Sequence, residues 1–176
     1  MNFEIHRSTE HEIESMLCLI RSVHEQLPQK EWFVIDDDAN TAELLKTGKS
    51  RGYIAVEAET GELAGLFIVN FPGTAEHNLG YDVFSPDSGF SEEVLSQIVH
   101  MDTAVVAPAY RGHGLQRKMI EFAENDLKTT GYHILMCTVH PRNRFSLDNA
   151  LALGYRIMVT KEKYGGYLRH VLMKEI

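Results

Sequence analysis

A glycine turn, three basic side chains and a helix start lie close together in the segment VVAPAYRGHGLQRKMIEFAEND. Gly112 and Gly114 allow a tight backbone bend and the close approach of a ligand. A helix start exposes unpaired N–H groups, and its dipole favours an anion. Arg111, Arg117 and Lys118 are poorly placed there unless an anion arrives. The spacing therefore favours a phosphate or pyrophosphate site, and a solvated basic turn is the alternative interpretation.

Strands and helices must position this turn. Alternating and apolar runs predict strands at 3–7, in a hairpin over 51–71 that turns near Thr60-Gly61, at 100–107, at 133–139 and in a final hairpin around Gly165-Gly166. Helical spacing predicts helices at about 10–26, 39–48, 91–98, 113–129 and 143–153. The strand–helix–strand unit at 100–139 should make its two strands parallel.

The composition predicts one globular domain, residues 1–176, with 44% apolar and 24% charged residues. The formal charge of −8 argues against nucleic-acid binding, which needs a basic face. The longest apolar runs, such as LAGLFIV, are far shorter than the ~20 residues of a membrane span. Two cysteines, no signal-like N-terminus and no metal-ligand spacing indicate a metal-free cytoplasmic protein.

Two segments carry a family resemblance. VVAPAYRGHGLQRKMI resembles the acetyl-CoA motif Arg/Gln-x-x-Gly-x-Gly/Ala of the GNAT-type N-acetyltransferases, with Arg111 and Gly114 matching. Gln116 departs from it, because the family usually has glycine or alanine there. HPRNRFSLDNALALGY is similar to the family's later segment, in which an asparagine, a short helix and a Gly-aromatic pair follow in order. Asn143 and Ser146 fit that order.

The resemblance implies an α/β (α+β) fold, with a mixed, mostly antiparallel sheet, one splayed parallel strand pair and about four flanking helices. It implies acetyl transfer from acetyl-CoA to an amine by direct attack in a ternary complex. The residues that it assigns to the cofactor are Ala104, Val105 and Val106 along the pantetheine arm, the amides of Arg111, Gly112, His113, Gly114, Leu115 and Gln116 on the pyrophosphate, and Asn143 and Ser146 beside the arm. Asn143 as a helix cap and Ser146 as a first-turn residue are the simpler alternatives.

The family often places base-capable side chains where His100 and Asp102 stand, two residues apart on one strand face. An imidazole of ordinary pKa near 6.5 is well tuned to accept the proton of an amine, and Asp102 could relay it or bind the ammonium group. Alternatively, His100 only starts the strand and Asp102 only faces solvent. The family's usual acid, a tyrosine seven residues after the asparagine, is Ala150 here, which leaves Tyr155, Tyr164 or water as donors.

The acceptor is expected to be a small-molecule amine or a peptide amine, and the sequence leaves a homodimer open. EWFVIDDD would suit a cationic acceptor, although a packed Trp32 and a helix cap at Asp38 explain it equally simply. Two other functions stay open. One is a catalytically weak CoA-binding sensor or interaction module of the same fold, and the other is a phosphate-binding module unrelated to CoA.

Overall fold

Seven strands form one mixed sheet in the computed structural model, which describes residues 1–85 and 91–176. They are β1 Phe3–Arg7, β2 Ser50–Glu57, β3 Leu63–Asn70, β4 Ile98–Val106, β5 Ile134–Val139, β6 Arg156–Lys163 and β7 Tyr167–Glu175. Their order across the sheet is β1-β2-β3-β4-β5-β7-β6. Residues 86–90 lie outside the described residues.

The one parallel pair is formed by β4 and β5, as the strand–helix–strand unit predicted. Its register spans three residue pairs and ends at His100 and Met136, although β4 continues to Val106 and β5 to Val139. β1 with β2, β5 with β7 and β6 with β7 are antiparallel. The predicted mixed sheet with a single parallel pair is therefore confirmed.

Six helices accompany the sheet in the described parts of the chain: α1 Ile13–Gln26, α2 Asp38–Lys46, α3 Gly80–Val83, α4 Glu92–Ser96, α5 Leu115–Leu127 and α6 Arg144–Ala152. Four of them have nine residues or more, in agreement with the expected number of flanking helices. The bounds differ in two places that matter for the site. β4 begins at Ile98, so His100 lies inside the strand, and α5 begins at Leu115, so His113 belongs to the turn.

Side-chain contacts stand at the start of the first helical turn and of α2. Thr9 donates its N–H to Glu12 Oε2 over 2.6 Å and forms a capping box at the 3-10 turn Glu10–Glu12, which leads into α1. Asp37 caps α2 by accepting the N–H of Asn40 over 2.9 Å. The predicted cap at Asp38 is wrong by one residue, because Asp38 instead forms an ion pair with Arg21 of α1.

The chain packs as two compact units. The first comprises Met1–Val69 and Thr103–Ala123, and its core brings the apolar face of α1 against β2, β3 and β4. That core consists of Met16, Ile20, Val23, Ile54, Leu66, Ile68 and Val105. α1 presents its apolar residues at helical spacing, and Ile13, Met16, Leu17, Ile20 and Val23 are buried.

The second unit comprises Asn70–Asp102 and Glu124–Ile176. Its core consists of Leu79, Leu95, Ile98, Met136, Val171 and Met173. Polar contacts tie its outer elements, since Lys161 and Lys163 of β6 both donate to the Asp82 carboxylate of α3, at 2.7 and 2.5 Å. Burial opposes these two ion pairs, and they still keep the pKa of Asp82 below its ordinary value.

The described helices and the two cysteines bear on membrane insertion and on thiol chemistry. Among the described helices, none combines the length and the apolar character needed to cross a bilayer. Both cysteines are free thiols, with Cys18 exposed on α1 and Cys137 buried in β5. Burial raises the pKa of Cys137 to about 12, so its thiol stays protonated at neutral pH.

Candidate functional site

The predicted glycine turn follows β4 in the first unit. A short 3-10 turn at Pro108–Tyr110 leads to Arg111, whose N–H donates to the carbonyl of Pro108 over 3.4 Å. Gly112 and Gly114 have φ angles of +83° and +70°, in the left-handed region that favours glycine. In the described residues, a Cβ on either glycine would meet no atom within 4 Å, so the turn has open space on that side.

The helix α5 begins at Leu115, directly after this turn. Its first bond runs from the N–H of Lys118 to the carbonyl of Gly114, over 3.0 Å. The first amides of an α-helix have no acceptor one turn earlier within the helix itself. Arg117 is half-exposed and pairs with Glu121 one turn later over 3.3 Å. Backbone donors are therefore the main feature that this helix start offers to an anion.

The side chains of the turn anchor it to the first unit. The His113 ring packs on Phe3, with centroids 5.5 Å apart, and Leu115 is buried. The Tyr110 ring meets Phe3 edge-on at 5.8 Å, and its hydroxyl donates to Glu62. His113 and Leu115 can therefore contribute backbone amides, whereas their side chains hold the turn in place.

Within β4, the residues predicted to line the pantetheine arm alternate in exposure. Val105 is buried in the core, while Ala104 and Val106 are partly exposed on the opposite face.

Gly65 of β3 is a residue that the sequence reading missed. A Cβ there would lie 2.9 Å from the carbonyl oxygen of Val105 and 3.0 Å from Met119, so only glycine fits this close approach. A glycine inside an apolar strand was the available signal.

In the second unit, His100 is in an environment opposite to the one expected of it. It is 7% exposed, and its Nε2 accepts the N–H of Leu79 over 3.0 Å. Burial, reinforced by His77 and Lys163, lowers the pKa of His100 to about 3. The ordinary pKa assumed from the sequence is wrong here, and the proposed role of His100 as a base at neutral pH loses its physical basis. The sequence held no signal for the contact with Leu79.

Asp102 lies two residues beyond the last β4–β5 pair and is exposed. Thr138 holds the equivalent place on β5, two residues beyond Met136. The hydroxyls of Thr138 and Tyr164 lie 3.0 Å apart, and the Asp102 carboxylate is near enough to raise the pKa of the Tyr164 phenol. The end of the parallel ladder thus gathers a carboxylate, a hydroxyl and a phenol within one unit.

Asn143 and Ser146 open α6 and bond to each other. Asn143 caps the helix by accepting the N–H of Ser146 over 3.3 Å, and its Nδ2 donates to the Ser146 hydroxyl over 3.3 Å. The simpler interpretation of both residues therefore describes their observed contacts. Their assignment to the CoA arm stays a prediction.

The tyrosines considered as proton donors differ sharply in access. Ala150, at the position that the resemblance assigns to the family's acid, is buried within α6. Tyr155 is 3% exposed, and burial together with Cys137 and Glu124 raises the pKa of its phenol. Tyr164, in the β6–β7 turn, is 49% exposed and has a φ of +53°.

Two further expectations can be compared with the described residues. Of the three consecutive carboxylates in EWFVIDDD, Asp37 caps α2 and Asp38 pairs with Arg21, so two are already engaged within the protein. Within residues 1–85 and 91–176, no group of three or more His, Cys, Asp or Glu side chains could hold a metal ion.

Comparisons with known proteins bear on the whole chain. No curated protein sequence matches it. Three solved structures share its fold at low identity. The NatC complex bound to Gag peptide and CoA has a TM-score of 0.71 at 16% identity, with 100% of this chain and 99% of that one covered. The Salmonella typhimurium protein yncA, solved with its cofactor acetyl-CoA, has a TM-score of 0.71 at 14% identity over 98% and 93%. The ribosomal-protein-alanine N-acetyltransferase of Brucella melitensis has a TM-score of 0.67 at 17% identity over 98% and 99%.

The family model of the Acetyltransferase (GNAT) family matches residues 16–155. That range contains β4, the glycine turn, α5, β5 and α6, which hold all the residues predicted for the site. The resemblance drawn from the two motifs is confirmed, and the chain belongs to the GNAT family of acetyltransferases.

Proposed function

We propose that this protein is an acetyl-CoA-dependent N-acetyltransferase that transfers an acetyl group to a primary amine by direct attack in a ternary complex. The observation that carries the proposal is the turn at Arg111–Gln116. Its two left-handed glycines have open space on their Cβ side and precede the start of α5. A phosphate or pyrophosphate is the kind of group that a helix start recognises.

In this proposal the amides of the turn bind the pyrophosphate, with Arg111 and Lys118 adding charge. The strand residues Ala104 to Val106 lie along the pantetheine arm. Gly65 lets β3 support the backbone of that strand at close range, through the Val105 carbonyl. A rigid strand is useful because acyl transfer depends on holding the thioester in a fixed orientation to the attacking nitrogen.

We assign the acceptor-side carboxylate to Asp102 and remove His100 from proton transfer. An amine of lysine-like pKa, about 10.4, arrives as an ammonium ion and must lose a proton before it attacks. Asp102 is exposed at the end of the parallel ladder, where it can bind that ammonium ion and pass its proton to solvent. His100, buried and bonded to Leu79, holds the segment around Leu79 against β4.

The acceptor is a small-molecule amine or a peptide amine. One neighbour named above is a complex bound to Gag peptide and CoA, and another is a ribosomal-protein-alanine N-acetyltransferase. Both names support an acceptor amine on a peptide or protein as well as on a small molecule. The free thiols of Cys18 and Cys137 support placing the activity in a reducing compartment such as the cytoplasm.

The experiment that tests the proposal is an acetylation assay with a panel of small amines and peptides. Acetyl-CoA is the donor, and the readouts are free-thiol release and the mass of each acceptor. Acceptor-dependent thiol release with a matching acetyl mass is the expected result. Binding of CoA without any acceptor-dependent thiol would instead assign the chain to the second candidate function, a CoA-binding sensor. The buried Ala150 at the family's acid position is the observation that favours that second candidate.

A further inference from the structure

We propose that Gly65 of β3 is a positioning residue for the acyl donor, because β4 and α5 both pack into the space that its missing side chain leaves. The inference rests on the proposed function, in which β4 lies along the pantetheine arm and the turn before α5 binds the pyrophosphate. All the residues that carry it belong to the first unit. Gly65 thereby sets where the arm lies relative to the pyrophosphate.

Two atoms from different elements lie where a side chain on Gly65 would begin. A Cβ there would be 2.9 Å from the Val105 carbonyl oxygen of β4 and 3.0 Å from the terminal methyl group of Met119 on α5. Val105 and Met119 are both fully buried, so the surrounding core limits how far either can retreat. The strand and the helix therefore meet β3 at this one position.

The backbone conformation of Gly65 is one that alanine can also adopt. Its φ lies outside the left-handed region, in contrast to the φ angles of Gly112 and Gly114. Glycine is therefore required here by its neighbours and not by backbone strain. A glycine inside a strand weakens that strand and often marks the close approach of another backbone, which is what Val105 provides.

The two neighbours differ in how easily they can move. The Met119 methyl group ends a flexible side chain, whereas the Val105 oxygen belongs to the backbone. Beside it, the N–H of Ala107 donates to the Ala64 carbonyl over 2.9 Å and fastens the end of β4 to β3. An alanine at this position would therefore strain β4 more than α5. The difference between 2.9 Å and an ordinary contact of 3.4 Å is about 0.5 Å, and this is the displacement expected of the strand.

A displacement of this size matters because the two parts of the cofactor are proposed to bind to different elements. The turn at Arg111–Gln116, which leads into α5, holds the pyrophosphate, and Ala104 to Val106 of β4 hold the arm. If β4 moves while α5 stays, the thioester is no longer where the amine attacks it. A misplacement of about 1 Å can lower a rate about 100-fold, so about half that distance should lower kcat about 10-fold.

The test compares Gly65→Ala with the matched control Gly52→Ala in the intact chain. Gly52 is a buried glycine of β2 in the same unit. A Cβ there would also meet close neighbours, but its three nearest atoms belong to the side chains of Ser8 and Met16 and none to the backbone. Both variants should therefore lose stability, and only Gly65→Ala should move β4.

The first readout separates the arm from the pyrophosphate. ADP has the pyrophosphate of CoA without the pantetheine arm, and titration calorimetry gives the Kd of each ligand. Gly65→Ala should raise the Kd for CoA about 10-fold, the equivalent of about one hydrogen bond to the arm. The Kd for ADP should stay at the wild-type value, and Gly52→Ala should change neither constant.

The second readout is kcat at saturating acetyl-CoA, with an acceptor found in the amine panel and counted per protein molecule that binds CoA. Gly65→Ala should lower it about 10-fold, and Gly52→Ala should leave it unchanged. If the chain binds CoA without turnover, the two affinities alone decide the role of Gly65.

A merely structural role for Gly65 predicts a different result. Fewer molecules of both variants would then bind CoA, but the ratio of the two Kd values and kcat per binding molecule would stay at the wild-type values. That result, or equal changes in Gly65→Ala and Gly52→Ala, would overturn the assignment of Gly65 and leave the proposed function intact. A wild-type chain that binds neither CoA nor ADP would instead contradict the proposed function itself.

Discussion

The helix that follows β4 and the helix that follows β5 begin in opposite ways. At α5, two left-handed glycines with open space on their Cβ side precede the helix. At α6, Asn143 accepts the Ser146 N–H and donates to the Ser146 hydroxyl. His100 of β4 also has an internal partner, since it accepts the N–H of Leu79. The glycine turn after β4, by contrast, has open space beside both of its glycines. Polar groups that already have partners stabilise the fold, and unpaired backbone donors are what a ligand can use.

The largest expected effect comes from blocking the glycine turn that precedes α5. Gly114→Glu places bulk and negative charge beside the amides, so CoA affinity should fall at least ~100-fold, or about 2.8 kcal/mol. Isothermal titration with CoA measures the change. Gly61→Glu is the matched control, because Gly61 has a φ of +72° and open space like the +70° of Gly114, but lies in the β2–β3 turn. Normal affinity in Gly114→Glu would mean that the turn has been misassigned.

The next effect concerns the buried imidazole. The pKa of His100 is about 3 in the folded protein and near 6.5 in the unfolded chain. Its contribution to stability is complete above pH 6.5 and declines as pH falls toward 3, because only the unfolded chain then binds the proton. That decline is about 1.4 kcal/mol per pH unit, or roughly 2 kcal/mol by pH 5.

Urea unfolding at pH 7 and pH 5 of the wild type and of His100→Gln measures this effect. Glutamine retains an acceptor for the Leu79 N–H but has no proton to gain, so its stability should change less between the two pH values. The other eight histidines are common to both proteins and cancel in the difference. Equal pH dependence in the two proteins would show that His100 titrates normally when folded.

The smallest expected effect concerns the capped start of α6. Asn143→Ala removes the cap of α6 and should destabilise the protein by about 1 kcal/mol, a fall in Tm of about 2–4 °C for a chain of this size. Asn143→Asp, which keeps the capping oxygen, should restore most of the loss. CoA affinity measured on the same variants separates a cap from a ligand contact. A large loss of CoA affinity in both variants, with little change in Tm, would show that Asn143 contacts the ligand instead of capping α6.

The sequence predicted the elements of the fold better than the environments of single residues. Apolar spacing located α1 and its buried face, and the strand–helix–strand order predicted the parallel pair. Both follow from local periodicity, which the chain carries in itself. The glycine turn was also predictable, since left-handed conformations restrict residue type.

The remaining features depend on contacts between residues distant in sequence. The N–H that donates to His100 comes from Leu79. The hydroxyl beside the Tyr164 phenol comes from Thr138, 26 positions away. No spacing rule connects those positions, so neither the lowered pKa of His100 nor the location of a phenol at the ladder end could be derived beforehand. The helix cap at Asp37 rather than Asp38 shows the same limit at short range, because Arg21 recruits the second carboxylate.

The unequal placement of the two cysteines determines how thiol chemistry can be followed in this protein. Cys137 is enclosed in β5 as a protonated thiol, whereas Cys18 is exposed on α1 with the Arg21 guanidinium 3.0 Å from its sulfur. A maleimide should therefore label one position per native chain and two once the chain is unfolded. Replacing Cys18 by serine would leave the native protein silent toward such reagents, so every equivalent of label consumed during turnover would come from released coenzyme.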